Sequence, residues 1–441
     1  MGPAVLRLFL PVALLVGCGK VSDSPPADAA ADSVDADLGG DATIVTEAAL
    51  FGGKIGTKVG NIDIISTFPD ATVLAMAKTD ASGAATIRVY PGGAVTAVYR
   101  HTVDMGADLI TWVGVKPGDT LTFGSRQFST AGQTNTSLGT QTLSWPALAG
   151  ITEFEVFTSC TGLGAGTALS IVGTESSLCH QEPMDVLYGA FNGNTLTSFG
   201  FRSNVTFTNG GTVALGGWSP VQTGSINVTG LPAEITLLSG SFATILDANR
   251  QLSLVGGYSG TPTGGAFSTT FTWHPTGERT VGSVSLARTG FSSMHILDSF
   301  SASTLTQTVA APALTPWVQG SVTSSSALRM ASWFVIPDTA SVHDGQLLRV
   351  SWNRVISGTG HPHQWHFILP PGQTSISYPA LPSQFSDIMP VPEASTSATI
   401  RLFDISSATG YDMVRAMPSR NIMCLDCAVN AGEIQRVVFT P

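Results

Sequence analysis

Apolar and polar residues alternate in short runs along most of the chain. Ala85-Thr86-Ile87-Arg88-Val89-Tyr90, Thr120-Leu121-Thr122-Phe123, Asn204-Val205-Thr206-Phe207-Thr208 and the run from Phe267 to Trp273 repeat with a period close to two. That period puts one side-chain face in a core and the other in water. Turn-forming residues separate the runs: Thr79-Asp80-Ala81-Ser82-Gly83, Pro91-Gly92-Gly93, Lys116-Pro117-Gly118-Asp119 and Asn209-Gly210-Gly211. Ala71 to Met76, the turn at 79–83 and Ala85 to Tyr90 therefore predict a β-hairpin. Beyond Val16, no stretch of a dozen residues carries a 3.6-residue period. Ala327 to Val335 and Tyr411 to Met417 are the best short helix candidates, and each also reads as a strand.

The start of the chain is different. A basic residue, Arg7, precedes an apolar run from Leu8 to Val16, the pattern of a secretory signal. The run is too short to span a bilayer as a helix, and Pro11 interrupts it. It closes on Leu15-Val16-Gly17-Cys18, which resembles the lipobox of bacterial lipoproteins. That resemblance implies cleavage before Cys18, acylation of its sulfur and new amine, and stable membrane anchoring through more than one acyl chain. Gly19 stands where an Asp would favour retention in the inner membrane, so the resemblance implies the outer membrane. Residues 19–42 hold six Asp and one Lys, with Pro25-Pro26 and Gly39-Gly40 and almost no large apolar side chain. Such a stretch cannot bury enough surface to fold and reads as an acidic tether with a reach of roughly 27 Å.

Two resemblances follow from the strand pattern. The run from Ala71 to Tyr90, centred on Thr79-Asp80-Ala81-Ser82-Gly83, resembles carboxypeptidase-regulatory-like domains, transthyretin-like β-sandwiches of bacterial surface proteins. It implies a spacer or binding module over roughly 80 residues. Thr142-Leu143-Ser144-Trp145-Pro146-Ala147 and the run from Gly150 to Phe157 resemble the second and third strands of a fibronectin type III domain, which buries a Trp between its sheets. Leu348-Arg349-Val350-Ser351-Trp352 and Thr374 to Pro379 repeat the pattern further on.

Composition narrows the function classes. Only 11% of residues are charged and 48 are glycine, which suits many short strands with hydroxyl-lined faces. The net charge of −10 sits in large part in the tether, and no basic stripe favours nucleic acid. The last lysine is Lys116, which removes lysine chemistry from the rest of the chain. Neither a G-x-S-x-G elbow nor an H-E-x-x-H helix is present.

Three groups of residues remain as candidates. His361-Pro362-His363-Gln364-Trp365-His366 is the densest polar cluster. On a strand, His361 and His363 share a face, as two metal ligands must, with His343 and Asp344 as further donors; surface histidines in a loop are the plainer reading, since Pro362 favours an edge or loop. Of the five cysteines, Cys160, Cys179, Cys424 and Cys427 remain once Cys18 is lipidated. An exported protein permits disulfides, and pairing Cys160 with Cys179 and Cys424 with Cys427 is the simplest of three connectivities. Among the tryptophans, Trp218, Trp273 and Trp365 lie near Gly or Pro and are candidates for sugar stacking, against a buried core position.

The expectation is an all-β protein of tandem β-sandwich domains. They follow a lipoprotein signal peptide (1–17) and a lipid-anchored linker (18–42). The boundaries are 43–126 for the carboxypeptidase-regulatory-like sandwich, 127–230 for a fibronectin-like one, 231–312 for a third sandwich and 313–441 for a second fibronectin-like unit. The expected role is non-catalytic binding, adhesion or scaffolding at the outer membrane, on its periplasmic face or the cell surface. Partners are the membrane through the anchor and a glycan, cell-wall polymer or envelope protein; no nucleic acid and no cofactor are expected. The alternative is a metal-assisted hydrolase built on the His361–His366 cluster.

Overall fold

The structure is a computed structural model. It describes residues 39–49, 55–101, 105–125, 136–158, 162–176, 183–231, 233–247, 250–252, 257–276, 279–288, 293–301, 306–310, 317–336, 343–356, 358–392, 394–423 and 434–439. The signal peptide, nearly all of the tether and all five cysteines lie outside them. The described residues are predominantly strand, as the period-two runs predict, and none of their helices is long and apolar enough to cross a membrane. The chain forms tandem β-sandwiches.

The first unit comprises β1 (Gly40–Ala49), β2 (Ile55–Lys58), β3 (Asp63–Thr67), β4 (Val73–Lys78), β5 (Ala84–Val89), β6 (Ala94–Arg100), β7 (Ala107–Val113) and β8 (Thr120–Ser125). β1 pairs antiparallel with β2 and β5 and parallel with β8, while β4, β3, β6 and β7 run side by side in a second sheet. Gly40, Asp41 and Ala42, read as the end of the linker, already pair with Val89, Arg88 and Ile87.

The expected hairpin at 71–90 is corrected here. Both strands and the turn exist, but β4 pairs with β3 and β5 pairs with β1. The turn carries the chain from one sheet to the other. Asp80 builds it: Oδ1 accepts from the Ser82 N–H (2.8 Å), the Ser82 hydroxyl (2.6 Å) and the Ala84 N–H (3.0 Å). Gly83 completes it at φ +76°, where a Cβ would meet the Thr46 carbonyl oxygen at 2.6 Å.

The second unit packs β9 (Ser137–Ser144), β12 (Ser170–Ser176) and β15 (Thr212–Ala214) against β10 (Glu153–Phe157), β11 (Gly162–Gly166), β13 (Met184–Asn192), β14 (Thr195–Val205) and β16 (Ser219–Pro220). Trp145 is buried between Leu143 and Phe154 in that core, as the fibronectin-like pattern implies. β14 ends at Val205, so Thr206 to Thr208 leave the strand that alternation suggested.

The third unit packs β17 (Gln222–Thr229), β21 (Ala266–Trp273) and β24 (Thr306–Ala310) with β18 (Ile235–Asp247), β19 (Arg250–Leu252), β20 (Gly257–Gly260), β22 (Arg279–Arg288) and β23 (Ser293–Ser301). The fourth has β25 (Trp317–Ser325), β26 (Met330–Ile336) and β29 (Ser375–Ser377) in one sheet. Its other sheet contains β27 (Gly345–Ile356), β28 (Thr359–Leu369), β30 (Thr396–Ile405) and β31 (Ile434–Phe439). Two short helices, α1 (Tyr411–Arg415) and α2 (Ser419–Met423), lie between β30 and β31. Of the two helix candidates, Tyr411 to Met417 is helical over α1, and Ala327 to Val335 leads into strand β26.

Three of the four units share one sheet. Its thirteen strands run β19-β18-β22-β23-β31-β30-β27-β28-β7-β6-β3-β4, with β20 on β18. β31 joins β23 to β30, and β28 joins the fourth unit to the first by pairing in parallel with β7, from His363 opposite Ala107 to Ile368 opposite Trp112. The faces alternate cleanly across that junction. Ile65, Val98, Leu109, Leu348, Trp365 and Phe367 belong to one core. Ile64, Ala97, Ile110, Leu347 and Ile368 belong to another, shared with Ile44, Phe123 and, from the helices, Val414 and Ile422.

Candidate functional site

The histidine cluster lies on β28, where period two orients it. His361, His363 and Trp365 take one face and His366 the other, and all four are buried. The segment is not a surface loop. Pro362 is opposite Asn353 of β27, and pairing with β7 starts one residue later, so the proline has a neighbouring strand on one side only, where a missing N–H is tolerated.

His363 is directly opposite Trp352, and the two rings stack at 5.6 Å with 24° between planes. Neither of its ring nitrogens has a hydrogen-bond partner. Burial, then the nearby His101, Arg354 and His361, bring its pKa down to about 4. His366 is opposite Arg349; burial, with Arg349 and Arg401 acting the same way against Asp108, also lowers it to about 4. Both imidazoles are therefore neutral at neutral pH, the form that binds metals.

A complete metal site is a separate matter. Among the described residues no group of three or more His, Cys, Asp or Glu side chains converges to hold an ion. Asp344 precedes β27, whereas His361 is opposite Arg354 near that strand's far end, roughly 30 Å away at the rise of a β-strand. Asp344 is also engaged locally: Oδ2 accepts from the Ile405 N–H (2.8 Å) and Oδ1 from the Gly410 N–H (2.9 Å). The fold brings His361 and His363 to one face and leaves His343 and Asp344 apart from them.

The sugar-stacking tryptophans also need correction. Trp273 and Trp365 are core residues at 4% and 1% exposure. Half-buried Trp218 stacks on Phe154 and meets Tyr188 edge-on, and its N–H donates to the Pro146 carbonyl at 2.9 Å. The Gly and Pro neighbours of Trp218 and Trp273 lie at strand ends, whereas Pro362 and Trp365 both lie within β28, where the ring is turned into the core.

Sequence reasoning missed a cleft of about 360 Å³ beside the β7–β28 junction. Its floor is the shared sheet, at Thr67, Ala94, Thr111, Val113 and Phe367. One wall is the β3–β4 turn, Phe68 to Ala71, and the other is Gln373 with Ser375 to Ser377 on and before β29. Asp70 shapes the turn: its Oδ1 accepts from the Thr72 hydroxyl (2.6 Å) and N–H (2.9 Å), and these bonds hold its carboxyl below the usual carboxylate range. The lining gathers side chains from segments some 300 positions apart, so no local motif could have disclosed it.

The fold defines a class, an all-β protein of tandem sandwiches. No protein-family model matches the chain, and no curated protein matches it. Among solved structures it is similar to the Bacillus anthracis TIE protein, at 10% identity over 62% of this chain and 50% of that one, with a TM-score of 0.17. It is similar to a streptococcal ancillary pilin at 10% identity, 61% and 98% coverage and a TM-score of 0.16. For the FN1–FN3 domains of chicken CNTN1 the values are 11%, 53% and 88%, and 0.12. The chain spans half the length of the TIE protein it matches. No strand-for-strand equivalence follows at such TM-scores.

Proposed function

We propose that the chain is a lipid-anchored protein of the bacterial outer membrane with a non-catalytic role in binding, adhesion or scaffolding. The observation that carries this reading is the continuity of the thirteen-strand sheet through three sandwich units. A shared sheet resists bending between units in a way that a flexible linker does not. Asp344 ties two backbone N–H groups and Glu47 pairs with Lys58 and Arg420, while His363 and His366 are buried and neutral. The lipobox-like Leu15 to Cys18 and the acidic stretch after it supply the anchor and tether. The resemblance of the first unit to carboxypeptidase-regulatory-like domains fits a spacer or binding module.

The test pairs binding with turnover. The purified chain is sedimented with isolated envelope fractions and cell-wall polymer, and assayed on ester, peptide and glycoside panels with and without zinc. Saturable co-sedimentation without turnover is expected. Turnover that disappears in a His361→Ala, His363→Ala double variant would replace this reading with a metal-assisted hydrolase.

A further inference from the structure

The sheet of β25, β26 and β29 stops short of the sheet it covers. Tyr378, just past β29, packs on Trp365 and Phe367 of β28. Beyond β28 the covered sheet continues through β7, β6 and β3, whereas β29 has β26 on one side and, among the described residues, no strand on the other. The cleft of about 360 Å³ lies in that space. Its floor is at Ala94, Thr111 and Val113 on β6 and β7, and its far wall is the β3–β4 turn from Phe68 to Ala71.

The register of β29 says which of its backbone groups face the cleft. Ser375, Ile376 and Ser377 are opposite Ser332, Ala331 and Met330 of β26. The Trp333 N–H donates to the Thr374 carbonyl at 2.9 Å, and the Tyr378 N–H to the Arg329 carbonyl at 2.7 Å. Bonded residues alternate along an antiparallel pair, so Thr374, Ile376 and Tyr378 turn their N–H and C=O toward β26. Ser375 and Ser377 turn theirs the other way, into the cleft. Both residues are exposed and line it, and no described residue pairs with their backbone groups. β29 is therefore an open strand edge, and it is sunk between two walls.

These groups set the class of ligand. Ser375 and Ser377 each present a donor and an acceptor, spaced by two residues of strand, about 6.8 Å. An extended polypeptide repeats its own donors and acceptors at that spacing. Charge adds a second requirement. Asp70 on the far wall is exposed, and the two Thr72 hydrogen bonds to its Oδ1 hold its carboxyl below the usual carboxylate range, so it is ionised at neutral pH. A basic side chain on the incoming strand complements it.

We propose that the cleft binds an extended peptide segment of an envelope partner protein, carrying a basic residue, as a fourth strand beside β29. This rests on the reading of the chain as an envelope binding module and names that module's class of partner. The test titrates three acetylated and amidated peptides into the full chain, purified in mild detergent, and reads binding by calorimetry. One is Lys-Val-Thr-Val-Thr-Val-Lys, whose two lysines reach Asp70 in either strand direction. The second has Glu at both ends. The third is the first with its internal amides methylated, which removes the N–H donors and keeps the side chains. The lysine peptide should bind at about 100 µM or tighter, the Glu peptide at least about tenfold more weakly, and the methylated one not at all.

Ser377→Pro removes an N–H that faces the cleft and none that bonds β26. It should weaken binding at least about tenfold and keep the melting temperature within about 3 °C, since an edge tolerates proline. Ser377→Ala keeps the backbone and should bind like the parent. Asp70→Asn keeps the Oδ1 acceptor for Thr72 and should erase the preference for lysine over Glu. The methylated peptide tests the same pairing without altering the protein.

No binding of the lysine peptide, equal binding of the methylated one, or unchanged binding in Ser377→Pro would overturn the proposal. A parent that is dimeric in sedimentation velocity, with a monomeric Ser377→Pro variant, would also overturn it and put a second copy at the edge. If no peptide binds while the parent still co-sediments with envelope fractions, this site falls and the binding-module reading survives. If the lysine peptide binds but neither envelope fractions nor cell-wall polymer sediment the chain, the site stands and that reading falls.

Discussion

The Trp365 indole N–H donates to the Thr111 hydroxyl at 2.7 Å, between strands whose residues are 254 positions apart in the chain. The bond crosses the parallel junction of β28 with β7, where the first and fourth units meet. Tyr411 on α1 reinforces the junction from the other face: its hydroxyl is 2.8 Å from the carbonyl oxygens of both Val113 and Ile368. Two aromatic residues of the last unit thus hold one strand of the first.

Thr111→Val should therefore destabilise both units together. It leaves the buried indole N–H without its partner, at a cost of about 1–3 kcal/mol. Urea unfolding followed by Trp fluorescence should show one shifted transition. A shift confined to a separate minor transition would contradict a shared junction.

The buried histidines make stability fall in mild acid. His274, His363 and His366 have folded pKa values of about 4, burial being the first cause in each case, against an ordinary 6.5. The unfolded chain binds their protons first as pH drops. Stability is thus complete above about pH 6.5 and declines toward pH 4, by up to ~3 kcal/mol for each fully developed shift. His363→Phe should be close to neutral at pH 7.5, since the ring only stacks on Trp352, and should flatten the loss between pH 7.5 and 5. An unchanged pH slope in that variant would show that His363 titrates normally.

The helical insert depends on a single buried cation. Arg415 is 5% exposed and grips Asp119 through Nε (2.7 Å) and Nη2 (3.2 Å). Arg415→Met should cost about 2–4 kcal/mol, because it removes the guanidinium from a half-buried ion pair with Asp119. Adding Asp119→Asn should restore part of the loss. Chemical denaturation of both variants measures it, and hydrogen exchange at Tyr411 to Arg415 shows whether α1 is released.

Cys18→Ser should abolish acylation and leave an uncleaved or soluble species, detected by mass spectrometry and membrane fractionation. A variant that still carries acyl chains would remove the lipobox reading.

Alternation determined the local structure. It located β5, β8 and β21, because a strand half in a core must repeat every two residues. The turns at 79–83 and 116–119 were legible because Asp and Gly are needed for their hydrogen bonds and positive φ. Alternation also placed His361 and His363 on one face of a strand. Partner choice was not written locally. A backbone edge offers the same hydrogen bonds to any strand, so nothing in Ala71 to Tyr90 said that β4 and β5 would enter different sheets. Nothing near Pro362 said that β7 would bury the histidines. Those outcomes, the thirteen-strand sheet and the cleft were decided only in tertiary structure, where Trp112, Trp365 and their neighbours could leave water together.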